Sequence, residues 1–231
     1  MKRIVVAIDG PAGAGKSTIA RRVAEKLGYL YLDTGAMYRA VALWALRLNV
    51  ALDDMHRLEQ LALSAAITLE GARVTLNGED VSEAIRTPEV SAAASQVSAV
   101  PAVRRALVDK QRAMAESTSV VMEGRDIGTV VFPNAAVKIF LDASAEVRAL
   151  RRHDELAARG AEPDQDQVAR DINERDQRDR ARAEAPLVQA PDAVLLDSTT
   201  LTLEQVEEAV LRLVRARTSN GKPLKGTPPV E

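Results

Sequence analysis

A single eight-residue stretch constrains this chain more than any other: Gly10-Pro-Ala-Gly-Ala-Gly15-Lys16-Ser17 matches G-x-x-x-x-G-K-[ST] at every fixed position. It follows residues 4–8, a mostly β-branched apolar run suited to a strand buried on both faces, and it opens a helical pattern over 16–27. Glycines let the backbone fold tightly enough for successive N–H groups to converge on phosphate oxygens, and the helix start adds the positive end of its dipole. In such a loop Lys16 reaches the β- and γ-phosphates and the Ser17 hydroxyl binds Mg²⁺. A Gly-rich surface turn would need neither the buried strand before it nor the helix after it.

The rest of the chain repeats this strand–helix rhythm. Apolar runs recur at 29–32, 119–122, 137–141 and 193–196, and helical patterns cover 35–48, 101–116, 145–159 and 202–217. The alternation predicts a three-layer α/β/α fold with a five-stranded parallel sheet in one domain over 1–217. Two stretches break the rhythm. Residues 66–82 read as a small antiparallel β insertion, with Asn77-Gly78 supplying the positive φ angles of a type I′ turn. Residues 146–182 hold nine arginines, no lysine and a comparable number of acids, and the Gly160–Pro163 break divides them into two helices. Thr202 and Gln205 form a capping box for the last helix, with Leu201 and Val206 as its hydrophobic staple. From 218 to 231 Ser, Asn, Gly, Lys and Pro dominate, and a disordered tail is expected.

Composition excludes several classes. Thirty-one Lys and Arg against 33 Asp and Glu leave a net charge of −2, so no global field draws the chain to nucleic acid. With no cysteine, disulfides, thiolate nucleophiles and Cys-ligated zinc are ruled out, and two histidines cannot build a multi-His metal site. No apolar run approaches the ~20 residues of a membrane helix, and Met1-Lys-Arg does not begin a signal peptide. A cytoplasmic protein that is not attached to a membrane is expected.

A phosphate loop alone does not separate a kinase from a motor or a switch. The Asn-Lys-x-Asp element of guanine-specific switches is missing. After the run at 119–122 comes Glu123-Gly-Arg125-Asp126, and an arginine at the carboxyl end of a parallel strand faces the ligand crevice. There it can hold a second phosphate as a bidentate fork, although a surface Arg125–Asp126 ion pair is the plainer alternative. Arg39 follows the second strand, and Arg175, Arg178 and Arg182 share a helix face with Asp179 beside them. The matching acids weaken an RNA-binding reading of these arginines.

The Ile-Asp-Gly-Pro that opens the loop, Asp33-Thr-Gly-Ala-Met-Tyr-Arg39, Gly124-Arg-Asp-Ile-Gly-Thr-Val-Val-Phe-Pro and Glu174-Arg-Asp-x-Arg-Asp-Arg together resemble bacterial cytidylate kinases, over about residues 3–215. That resemblance implies a nucleoside-monophosphate-kinase fold. A monophosphate-binding insertion would span about 33–116, and a mobile lid about 146–170 would carry Arg148, Arg151, Arg152 and Arg159, solvated until nucleotides bind. It implies transfer from ATP, with Mg²⁺, to CMP or dCMP by a monomer. Gly10, Pro11, Ala12, Gly13, Ala14, Gly15, Lys16, Ser17 and Thr18 would hold ATP, and Ser17 the metal. Thr34, Arg104 and Asp126 would contact cytosine, while Ser95, Arg175 and Asp179 would contact ribose. Arg39, Arg125 and Arg182 would bind the acceptor phosphate, and Lys16, Arg125, Arg175 and Arg182 would act in catalysis. Thr34 stands where serine is common in the family and Glu123 where aspartate is common. Another small acceptor, such as UMP, shikimate or gluconate, and a nucleotide-dependent switch are the competing readings.

Overall fold

Alternating side chains on one central strand set the layers of the molecule. The computed structural model describes residues 3–218, so the expected tail lies outside the described residues except for Thr218, which ends the last helix. Strand β1 (Val5–Asp9) pairs in parallel with β6 (Val120–Gly124) on one side and β7 (Val137–Asp142) on the other. Beyond these lie β2 (Leu30–Asp33) and β8 (Val194–Asp197), giving the order β2-β6-β1-β7-β8, parallel throughout. Val6 and Ile8 face a layer containing Ile19 and Val23 of α1 (Lys16–Leu27) and Val206 and Val210 of α8 (Leu203–Thr218). Val5 and Ala7 face the opposite layer, with Val108 of α5 (Pro101–Met114) and the π-helical turn Ile127–Val131. The five-stranded parallel core expected from the sequence is present.

Between β2 and β6 the chain builds a second apolar core from α2 (Thr34–Arg47), α3 (Met55–Ser64), α4 (Pro88–Val97) and α5. Against it lies a small antiparallel sheet of β3 (Ile67–Glu70), β4 (Arg73–Leu76) and β5 (Glu79–Asp80). Asn77 and Gly78, at φ 53° and 87°, turn the chain between β4 and β5 as the dipeptide predicts. Helices α3 and α4 were not anticipated. The apolar positions of α4 are Val and Ala interleaved with Ser, too small to raise a strong helical period; its visible signal is the Thr87 cap with Pro88 at the first turn. The arginine-rich stretch divides into α6 (Ala145–Ala157) and α7 (Gln165–Ala181), which meet over Ala149, Val168 and Ile172.

All five parallel strands end at one edge, and that edge is where ligands bind open α/β sheets. Gly10 makes the first exit from it possible: at φ 149°, a Cβ there would lie 1.9 Å from the Leu141 carbonyl oxygen of β7. At the far end of the chain the capping box forms, with Thr202 N–H donating to Gln205 Oε1 (2.8 Å) and Gln205 N–H to Thr202 Oγ1 (3.3 Å). Thr202→Ala should lower stability by about 1 kcal/mol, a fall in Tm of roughly 2–4 °C by thermal unfolding.

Candidate active site

The phosphate loop runs from β1 into α1, whose N-terminus carries no side-chain cap, so its first N–H groups remain free for an anion. Lys16 is buried and donates from Nζ to the Pro11 carbonyl at 2.7 Å. Burial, reinforced by the nearby positive charge of Arg125, pushes its pKa down to about 7. Ser17 Oγ donates to Glu123 Oε2 (2.9 Å), and Tyr31 OH donates to Glu123 Oε1 (2.5 Å). Glu123 is buried and its pKa is raised, by burial first and by the charge of Asp33 second. Asp9 accepts from the backbone N–H groups of Ile127 (2.8 Å) and Gly128 (2.7 Å), which fastens the segment after Asp126 to the end of β1. Its burial lifts the carboxyl pKa to about 6.

Opposite the loop, Arg125 and Asp126 diverge. The Nε of Arg125 donates to Asp179 Oδ2 at 2.9 Å, whereas Asp126 pairs with Arg104. The two neighbours are therefore not a surface pair with each other. Asp126 and Arg104 are both 4% exposed, and Arg104 also donates to the Ser98 carbonyl (3.0 Å) and lies over the Tyr38 ring. Thr34 Oγ1 donates to the Glu123 carbonyl at 2.6 Å, which leaves the lone pairs of its oxygen to accept. Asp179 also pairs with Arg182, which donates to Ser98 Oγ at 2.8 Å. Although burial opposes the charge on Asp179, the guanidiniums of Arg125, Arg182 and Arg175 hold its carboxyl below the ordinary range. Burial and Arg125 together push Arg175 down to about 9.

One cavity of about 990 Å³ joins the two halves, and the phosphate loop from Ala12 onward, Thr34, Arg39, Ser95, Arg104, Arg125, Asp126, Arg175, Asp179 and Arg182 all line it; Gly10 and Pro11 do not. Nε of Arg39, Arg104, Arg175 and Arg182 and the Ser95 hydroxyl are buried without a hydrogen-bond partner among the described residues. An unsatisfied buried donor costs free energy that an incoming acceptor relieves.

Some features lay beyond the sequence reading. Asp9, Tyr31 and Ser98 position site residues; Asp9 was visible only as the acid closing an apolar run. Among the lid arginines the expectation of solvated side chains is not met at Arg148 or Arg151, and the Arg152 side chain is only 19% exposed beside Glu155. Arg148 is 5% exposed, and Arg151 donates to the Ser198 carbonyl (2.8 Å) and to Ser198 Oγ (3.0 Å). One face of the first turns of α6 therefore lies against the phosphate loop and the segment after β8, while Glu146 and Leu150 on the other face are exposed.

A model of the cytidylate kinase family matches residues 6–216. This chain belongs to the cytidylate kinase family. The cytidylate kinase of Solibacter usitatus is 62% identical over 223 residues, 96% of this chain and 96% of that one. The cytidylate kinase of Pelotomaculum thermopropionicum is 54% identical, covering 94% of this chain and 96% of its own length. A solved structure from Thermus thermophilus, 20% identical with a TM-score of 0.50 over 94% of this chain and 99% of its own, shares the fold. No helix among the described residues is long and apolar enough to cross a membrane.

A lysine partly neutral near pH 7 gains a proton when phosphate oxygens come to surround it, because the anion favours the charged form. Nucleotide binding at pH 7.5–8 should therefore take up protons, read as a binding enthalpy that varies with buffer ionisation enthalpy in calorimetry. Lys16→Met should abolish most of that variation.

Proposed function

We propose that the chain transfers the γ-phosphoryl group of ATP to CMP and dCMP, giving ADP with CDP or dCDP. The two ends of one cavity carry this assignment: a phosphate loop with a buried lysine at one end, and buried guanidiniums with unsatisfied N–H groups at the other. Family membership supplies the base and the donor.

Gly10 to Thr18 cradle the ATP phosphates, with Lys16 leaving the Pro11 carbonyl for the β- and γ-oxygens. Arg39, Arg125 and Arg182 grip the acceptor phosphate, and Arg175 joins Lys16, Arg125 and Arg182 in stabilising charge on the moving group. An acceptor phosphate oxygen attacks the γ-phosphorus as the bond to the β–γ bridging oxygen breaks. That oxygen is already ionised, so no protein base is required. The Ser17 hydroxyl, beside the Glu123 carboxylate, would hold Mg²⁺. Mg²⁺ held there would offset negative charge on the transferring phosphates.

Base choice follows from donor and acceptor patterns. Cytosine offers an amino donor at N4 and acceptors at N3 and O2. Asp126 and the Thr34 oxygen accept from the amino group, and Arg104 donates to the N3/O2 edge. Uracil reverses the pattern at N3 and C4, which leaves buried groups mismatched. Ser95, Arg175 and Asp179 meet the ribose. The insertion over 33–116 serves as the monophosphate-binding unit, and the distal part of 146–170, with Arg152 and Arg159, closes over the phosphates and excludes water. The donor loop and the acceptor residues come from one chain, which supports a monomer.

Lys16→Ala should lower kcat by an amount equivalent to roughly 2–4 kcal/mol in barrier, and a near wild-type turnover of CMP would end the cradle assignment. Asp126→Asn keeps the shape of the side chain but can donate to the uracil carbonyl. The ratio of kcat/KM for CMP to that for UMP should drop by about tenfold or more. A ratio that stays constant while both rates fall would reduce Asp126 to a structural partner of Arg104.

A further inference from the structure

We infer that Asp176 and Arg148 form a positioning clamp that joins the outer turn of the phosphate loop to the helix carrying the acceptor arginines. The Ala12 peptide is gripped at both of its polar groups. Its N–H donates to Asp176 Oδ1 (3.3 Å), and its carbonyl accepts from Arg148 Nη1 (3.0 Å). The same Nη1 donates to Asp176 Oδ2 at 2.5 Å, and Arg148 Nε donates to the Ala143 carbonyl at 3.0 Å. One carboxylate and one guanidinium thus close a ring around a single loop peptide and tie it to the end of β7. Both residues are buried, Asp176 at 3% and Arg148 at 5% exposed. The approach is close enough that a Cβ on Gly13 would lie 2.6 Å from the Arg148 carbonyl oxygen.

The position of Asp176 in α7 gives this ring its consequence. Arg175 and Asp179, on the same helix, face the acceptor end of the cavity, as does Arg182 at its C-terminal cap. A rigid helix that holds the donor loop through one residue and the acceptor through its neighbours sets the separation of the two phosphates. In-line transfer depends on that separation to within about 1 Å. A buried ion pair is a poor way to gain stability alone, since apolar residues of similar volume commonly serve as well. Gripping both groups of a loop peptide is something apolar residues cannot do.

The inference rests on the assignment of the loop as the ATP cradle. Its test is the double variant Arg148→Met/Asp176→Leu, compared with the unaltered protein for Tm, for ATP and CMP affinity each measured alone by calorimetry, and for kcat. The expected result is a Tm within a few degrees of wild type and CMP affinity within about threefold, with ATP affinity weakened about tenfold or more and kcat reduced. An ATP affinity and kcat both unchanged in the folded double variant would overturn the clamp. So would equal losses of ATP and CMP affinity, which mark a general loosening of α7. If the double variant does not fold, Asp176→Asn is read in the same way, because an amide can accept from Ala12 N–H or from Arg148 but not satisfy both. Failure of the cradle assignment looks different: the unaltered protein itself would not bind ATP, and clamp and cradle would fall together.

Discussion

A cavity meant for two polyanions has to gather positive charge before either anion arrives, and like charges held together away from water repel. Lys16, Arg39, Arg125, Arg175 and Arg182 line one such cavity, and burial first, with the charge of Arg125 second, depresses the pKa values of Lys16 and Arg175. Carboxylates keep the cluster tolerable. Asp179 sits between Arg125 and Arg182, and Asp126 holds Arg104. Each pairing uses part of a guanidinium and fixes its plane. On the proposed assignment, phosphate binding would relieve a repulsion the fold has already tolerated.

The scaffold makes this gathering possible because parallel strands deliver all their carboxyl ends to one edge. β1 brings the phosphate loop and Asp9; β6 brings Glu123, Arg125 and Asp126; β2 brings Asp33 and Thr34. Asp9 then binds the backbone after Asp126, so donor and acceptor segments are fastened across neighbouring strands. The insertion has an apolar core of its own, joined to one face of the sheet through Leu69, Val108 and Met114.

Glu123 shows how a local change is absorbed. Its side chain is one methylene longer than aspartate, yet Tyr31 and Ser17 each bond one of its oxygens, so the carboxylate is fixed despite the extra length. The hydroxyl of Thr34 donates to the Glu123 carbonyl, which ties the start of α2 to the residue whose carboxylate holds Ser17.

Much of this was determined by the sequence alone. The apolar β-branched runs, the phosphate loop, the Asn77-Gly78 turn and the Thr202–Gln205 cap each act over a few residues, so their physics is complete in the local string. The arginines and acids of the site were likewise legible as residue types in motifs. What only the tertiary structure decided was partnership. Arg125 and Asp126 are adjacent in sequence but bond to Asp179 and Arg104, 54 and 22 positions away. Arg148, one more charge in an arginine-rich stretch, lies buried on Ala12, 136 positions earlier. Helix α4 formed although its small side chains carry little periodic signal, because α2 and the rest of the insertion core cover it. The reason is the range of the forces involved: strand and cap preferences are set by neighbouring dihedrals, whereas an ion pair's partner is chosen by which chains the folded sheet brings within a few ångströms, and no short window of sequence contains that distance.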